Sequence, residues 1–301
     1  MLYRLFIFFA VLITTDTVLA SPVDKDGWLP FTSRSGVVTI DVEFEGQTRK
    51  AIIDSGSEIN AINAVYVDLN KDKLSFGDKI RLQGVFGEET KALVNAVPVQ
   101  MFGQRFELDA LAPAQLGDAI LLFGLPFLQN FIVQFDYPHQ KMRFLPHSLL
   151  DMKKLANVEL KKNRNRNLPA IKVETIDGKS FWLTLDTGNS GGLVVSRQFA
   201  KDRGWLDNRG LLKHSALGAV HSGNVESFNI SYLKVGPFEM ENVLVTVPDE
   251  GVVMNVKDSY RTSSRSAVSG AATKGLLGYD VLKHFVVTLD CKNWRAHIAV
   301  P

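Results

Sequence analysis

Residues 35–62, SGVVTIDVEFEGQTRKAIIDSGSEINAI, and residues 168–196, LPAIKVETIDGKSFWLTLDTGNSGGLVVS, are two versions of one pattern. Each opens on alternating apolar residues: Val38, Ile40, Val42 and Phe44 in the first, Ile171 and Val173 in the second. That is the period of a half-buried strand. Each then turns at Glu45-Gly46 or Asp177-Gly178 and enters a second apolar run, so each predicts a hairpin. Each second strand ends in an acid, a hydroxyl and a glycine: Asp54-Ser55-Gly56 and Asp186-Thr187-Gly188.

The repetition resumes downstream. Leu121-Leu122-Phe123-Gly124 and Gly275-Leu276-Leu277-Gly278 each lead, 12 residues beyond the final glycine, to an aspartate, Asp136 or Asp290. From the motif aspartate to that glycine the distances are 70 and 92 residues, so the second copy carries an insertion of about 22. Residues 255–274, rich in Ser, Ala and Lys/Arg and without periodicity, are its expected place, as a surface loop. Between the copies, residues 148–167 end in KKNRNRN and read as a solvated basic linker. Helical periodicity is confined to short stretches near 115–130, 148–156, 196–205 and 279–285. The expectation is an all-β chain of two related lobes, 21–147 and 168–301, with a few short helices.

Composition excludes several alternatives. The chain has 301 residues, 46% hydrophobic and 22% charged, which is a folding composition rather than a disordered one. Lys plus Arg number 34 against 32 Asp plus Glu, so no bulk charge argues for nucleic acid or an anionic surface. The single cysteine, Cys291, excludes an intramolecular disulfide and any multi-cysteine zinc site. The six histidines include no pair three or four residues apart, so no metal or other cofactor is expected. Residues 1–20 carry Arg4, the apolar run Leu5 to Ile13 and the small-residue ending Val18-Leu19-Ala20, the pattern of a cleaved export signal. The expected destination is the periplasm or the medium. The run is shorter than the roughly 20 apolar residues a bilayer span needs, and no later segment reaches that length.

A carboxylate at the end of an apolar strand, followed by a hydroxyl and a glycine, suits a rigidly held acid. The glycine permits close approach of another backbone, and the hydroxyl can donate to backbone or to a partner loop. One such triplet reads equally as a turn that begins with Asp; two at equivalent places read as a pair. Residues 188–192, GNSGG, differ by one letter from the GDSGG around a serine-hydrolase nucleophile, but no His or Asp context supports a triad there.

Through Ile52-Ile53-Asp54-Ser55-Gly56-Ser57, Leu183-Thr184-Leu185-Asp186-Thr187-Gly188-Asn189 and the glycines Gly124 and Gly278, the sequence resembles the aspartic peptidases. More narrowly it is similar to their retropepsin-like branch, with two copies fused in one chain and the likeness covering nearly all of 35–298. The resemblance implies two acid-protease-like β-barrel lobes about a pseudo-two-fold axis, with Asp54 and Asp186 meeting as a catalytic dyad. It implies that Ser55 and Thr187 interlock the two loops, that Gly56 and Gly188 support them, and that Gly124 and Gly278 lie in strands crossing behind. The implied function is an exported aspartic endopeptidase acting on peptide or protein substrates as a monomer. The alternative is a peptide-binding protein that keeps the cleft without useful hydrolysis.

Two further features carry paired readings. Gly84, Phe86 and Gly87, and Gly218 and His221, belong to Gly-containing hairpin tips at matching offsets. By resemblance these are flaps over substrate; by composition they are exposed β-turns. The pepsin branch carries a tyrosine in its flap where this chain offers Phe86 and His221. Ser57 and Asn189 follow the two motif glycines. Each can bond a carboxylate oxygen, which would draw activity to acid pH, or cap its own turn.

Overall fold

The computed structural model describes residues 23–24, 26–33, 36–84, 87–164, 166–207, 210–217, 222–255 and 269–301. The expected signal peptide, most of the expected insertion, and Phe86, Gly218 and His221 lie outside the described residues.

Both hairpins form where alternation places them. Thr39–Phe44 pairs antiparallel with Gln47–Ile53, and Pro169–Glu174 with Ser180–Leu185. Their turns contain Gly46 and Gly178 at φ of 74° and 73°, a left-handed backbone that glycine adopts without a side-chain penalty. The second strand of each hairpin is also paired in parallel with a later strand, Ala119–Phe123 or Thr273–Leu277. These pairings sit inside a seven-stranded and an eight-stranded sheet, one for each lobe.

A third sheet, of five strands, joins the lobes. Ile132–Asp136 lies antiparallel to Val286–Asp290, with Val133 opposite Leu289, Gln134 opposite Thr288 and Phe135 opposite Val287. In the repeat, Gln134 corresponds to Thr288, so the pseudo-two-fold axis passes between these two residues. Gln134 Nε2 donates to Thr288 Oγ1 at 2.9 Å across it. Phe135, Val287, Val133 and Leu289 are no more than 1% exposed, so the seam is continuous core.

The repeat begins earlier than sequence similarity reveals. Leu29–Pro30 pairs with Lys141–Met142 at the edge of the joining sheet, and Thr32 bridges Thr39. In the second half Val158 bridges Ala296, and Leu160 pairs with Ile171. Met142 corresponds to Ala296 and Thr39 to Ile171, so residues 156–162 are the second copy of residues 28–33. The segment expected as a solvated linker thus holds a short helix, Met152–Leu155, and an edge strand, Leu160–Lys162. Asp151, Lys153, Lys154, Glu159, Lys161 and Lys162 are exposed while Met152, Val158 and Leu160 are buried, and Arg164 turns its Nε inward. The helix expected near 115–130 is reduced to Leu125–Leu128. Ala119–Phe123 is a strand buried throughout, and burial on both faces removes the alternation that would have marked it. The other expected helices shrink to Arg197–Asp202 and Tyr279–Leu282, and Ala64–Leu69 is an additional one, capped by Asn63.

If residues 156–162 are structural, burial and not charge governs their contribution. Leu160→Ala, at a side chain 8% exposed, is expected to cost about 2–3 kcal/mol in urea unfolding. Lys162→Ala is expected to stay within about 0.5 kcal/mol. Equal, small effects would identify a mere tether.

Candidate active site

The two Asp–hydroxyl–Gly loops meet across the axis. Asp54 leaves its strand with its N–H on Phe123 O at 3.0 Å, and Asp186 likewise with its N–H on Leu277 O at 2.9 Å. Parallel strand pairing therefore holds each aspartate at its base. Behind each loop, the short helix after Gly124 or Gly278 grips it in turn: Leu125 N–H donates to Ser57 O and Tyr279 N–H to Asn189 O. Neither glycine has room for a side chain. A Cβ at Gly124 would lie 2.2 Å from Ile59 O, and one at Gly278 2.5 Å from Asn189 O.

Four reciprocal hydrogen bonds lock the loops together. Ser55 Oγ donates to Leu185 O at 2.7 Å and accepts from Thr187 N–H at 3.1 Å. Thr187 Oγ1 donates to Ile53 O at 2.8 Å and accepts from Ser55 N–H at 3.0 Å. Both hydroxyls are buried, at 0% and 1% exposure, so each bond lost would strand a polar group away from water.

The interlock sets each carboxyl against the opposite loop. A Cβ on Gly56 would lie 2.4 Å from Asp186 Cγ, and one on Gly188 2.4 Å from Asp54 Cγ. The role of these glycines is space, because any side chain would occupy the meeting point. Gly56 N–H donates to Asp54 Oδ1 at 2.7 Å and Gly188 N–H to Asp186 Oδ1 at 3.0 Å. The carboxyls are half-buried, each against the opposite loop's glycine. Burial raises Asp54 above the ordinary carboxylate range, with the Asp186 bond and the Gly56 and Gly188 N–H groups opposing. Burial raises Asp186 further, reinforced by the Asp54 charge and by its hydrogen bond to Asp54. Two carboxylates this close share one proton because double ionisation is strongly repulsive.

Ser57 and Asn189 resolve to turn caps. Ser57 Oγ donates to Ile59 O at 2.8 Å, and Asn189 Oδ1 accepts from Gly191 N–H at 3.1 Å. Neither side chain bonds a motif carboxyl: Asn189 Nδ2 is buried without a hydrogen-bond partner, and it is the Asn189 backbone N–H that opposes the rise of Asp186. Cys291 is buried, with its thiol pushed up by burial and the Asp290 charge, and it has no nucleophilic character. Two supporting side chains carried no sequence signal. Asn60 Oδ1 accepts from Gly124 N–H at 2.9 Å, the task that the Gly192 carbonyl performs for Gly278 in the other lobe. Glu58 Oε1 accepts from Asn167 N–H at 2.7 Å, tying the first loop to the second half.

Two hairpins flank the dyad. Ser75–Gly84 pairs with Gly87–Asn95, closing at Gly84 opposite Gly87, and Leu212–Leu217 pairs with Ser222–Val235. Leu82 and Ile80 of the first pack with Ile59, just beyond the Asp54 loop. Ala216 and Val225 of the second pack with Val194, Leu276 and Met254. Among the described residues no group of three or more His, Cys, Asp or Glu is placed to hold a metal ion.

Comparison with known proteins agrees with this geometry. Residues 172–281 match the aspartyl protease family. No curated protein matches the chain. Among solved structures, the aspartic proteinase from Irpex lacteus superposes with a TM-score of 0.51 at 13% identity, covering 91% of this chain and 97% of that one. At that identity the likeness is one of fold: two lobes joined by a central sheet.

Two consequences of the interlock are measurable. Ser55→Ala and Thr187→Val each leave buried backbone groups unpaired and are expected to cost about 2 kcal/mol or more in chemical denaturation. Because the bonds run between the two residues, the double variant should fall short of the sum by about 1 kcal/mol or more. Additive losses would mean that the loops are held separately. The raised Asp186 fixes a second sign. At about pH 3 and below its carboxyl is mostly protonated both folded and unfolded. As pH rises from there through the raised folded value, the unfolded chain releases the proton first and folding weakens. Asp186→Asn should therefore match the wild type in stability near pH 3 and exceed it at pH 7. A constant difference across that range would contradict the assignment.

Proposed function

We propose that the chain is an aspartic endopeptidase whose two half-sites lie in one polypeptide, two fused halves of retropepsin type, active as a monomer. The observation that carries this reading is the contact of each motif carboxyl with the opposite loop's glycine, fixed by the Ser55–Thr187 interlock. A single shared proton gives the pair both functions that amide hydrolysis requires. The ionised member of the Asp54–Asp186 pair takes a proton from a water held between the carboxyls, and that water attacks the scissile carbonyl carbon. The protonated member donates to the carbonyl oxygen and stabilises the tetrahedral intermediate. Collapse delivers a proton to the leaving amine and returns the dyad to its starting charge. No metal and no covalent enzyme intermediate enters the scheme.

The flanking hairpins support a substrate that is extended. Leu82 with Ile59 and Ile80, and Val225 and Met254 with Ala216, are apolar clusters that anchor the two hairpins to their lobes. Folding the Gly84–Gly87 tip and its counterpart over a bound peptide would exclude water. The N-terminal pattern of residues 1–20 supports export before activity. Among the described residues no helix is long and apolar enough to cross a membrane. The serine-hydrolase reading finds no support, since Ser190 makes no hydrogen bond to a histidine among the described residues.

A peptide-library assay across pH tests the proposal. Cleavage should peak below pH 7 and be blocked by a statine-type transition-state mimic. Asp54→Asn and Asp186→Asn should each lower kcat by roughly 10²–10⁴ or more while Ser190→Ala retains cleavage. Saturable peptide binding without cleavage by the wild type would instead establish the binding-protein reading. Turnover that survives either Asn substitution would refute the dyad.

A further inference from the structure

The joining sheet ends in two corners that the repeat makes equivalent, and only one is filled. In the first half Asp136 lies opposite Lys141, and the Lys141 ammonium and Arg143 guanidinium sit 4.7 and 4.4 Å from the centroid of the Trp28 ring. Lys141 also faces Asp136 at 3.8 Å, and Arg143 Nε donates to Gln134 Oε1 at 2.8 Å. Every cation at that corner has a partner.

In the second half Asp290 lies opposite Arg295, the equivalent of Lys141. The place of Trp28 is taken by Asn157, since Leu29 bridges Met142 where Val158 bridges Ala296. Asn157 spends its amide on the Ile298 backbone, donating at 2.7 Å and accepting at 2.9 Å. No indole covers Arg295, and beside it lies an open cavity of about 560 Å³ whose lining includes His147, Lys153, Asp290, Asn293 and Arg295. That volume lies within the roughly 300–1,000 Å³ of small-molecule sites.

The acids here are already engaged. Asp290 accepts from Asn293 N–H at 3.0 Å and from Asn293 Nδ2 at 2.8 Å. Asp151 accepts from Lys153 N–H at 3.1 Å and faces Lys154 Nζ at 3.6 Å. The cations are not: among the described residues the side chains of Arg295 and Lys153 make no ion pair or hydrogen bond. His147 adds a third open group. Its Nε2 donates to Gln129 O at 3.1 Å, while Nδ1, shielded from solvent, has no hydrogen-bond partner and lies 3.6 Å from Asp290 Oδ1.

We propose that this corner binds a small phosphorylated organic molecule, its phosphate between Arg295 and Lys153 and a hydroxyl of the same molecule hydrogen-bonded to His147 Nδ1. A phosphate dianion matches two unpaired cations, whereas a monocarboxylate would satisfy one. The guanidinium fork fits two phosphate oxygens at once. The site lies on the joining sheet's outer corner and does not depend on the peptidase reading.

Calorimetric titration of the full chain at fixed ionic strength with glycerol 3-phosphate, inorganic phosphate and glycolate tests it. Glycerol 3-phosphate should bind one to one, inorganic phosphate more weakly, and glycolate not measurably. Arg295→Ala and Lys153→Ala should each weaken the phosphate ligands by roughly tenfold or more. His147→Phe should weaken glycerol 3-phosphate and leave inorganic phosphate unchanged. Lys153 is exposed, so its variant separates ligand loss from misfolding. Absence of saturable binding, glycolate binding as tight as phosphate, or affinity unchanged in both the Arg295 and Lys153 variants would overturn the proposal.

Discussion

The rest of the site depends on two hydroxyls that must satisfy each other's loops. A hydroxyl has one proton to donate, and Ser55 and Thr187 each use theirs on a backbone carbonyl of the opposite strand while accepting the other's amide. An apolar side chain at either position would strand two buried backbone groups, and at both positions four. The exchange also sets how closely the loops approach, and that approach requires Gly56 and Gly188 to lack side chains. Once the loops are at this distance the two aspartates have no freedom to avoid each other. The shared proton is therefore a consequence of the interlock rather than an independent feature of the carboxyls.

Such an exchange needs two lobes presented in register. The joining sheet supplies this by pairing Gln134 with Thr288, the two residues through which the axis runs. In a dimer of identical halves those positions would carry the same residue. Here a long amide donates to a short hydroxyl, which only a fused chain can place on its own axis. The same freedom appears at Asn60, whose side chain does what a backbone carbonyl does at Gly192. Symmetry is kept where the loops interlock and relaxed in the shells around them.

Much of this was legible in the sequence because it is local and repeated. The hairpins of 39–53 and 169–185, the two acid–hydroxyl–glycine triplets and the glycines at 124 and 278 are written in alternation and spacing. What was hidden shares a different property: its partner is distant backbone. Leu29–Pro30 and the bridge at Val158 are held by main-chain contacts to the edge of the joining sheet, which impose almost no side-chain pattern, so the second copy of that segment read as a charged linker. Ala119–Phe123 failed as a strand for the opposite reason, since burial on both faces leaves no polar alternate. The choice at Ser57 and Asn189 between carboxylate and turn is set by loop geometry, and residue type alone left it open.

The divergence of the two halves also bears on the chemistry. Hydrolysis by a carboxyl pair needs one member ionised and the other protonated, and perfect symmetry would leave the proton equally shared. The surroundings here are unequal on the Asp186 side. Tyr279 follows Gly278 where Leu125 follows Gly124, and its hydroxyl accepts from Ser33 Oγ at 3.1 Å. Tyr137, equivalent in the repeat to Cys291, packs against Tyr279 with ring centroids 5.9 Å apart. Burial, Tyr279 and the Asp186 charge all hold the Tyr137 hydroxyl in its neutral form. A neutral, weakly polar backing stabilises a carboxylate less than water does, and so favours the protonated acid beside it. The two carboxyls thus meet unequal surroundings within one interlock. A single chain permits that inequality, because identical halves would carry the same residue at 137 and 291 and at 125 and 279.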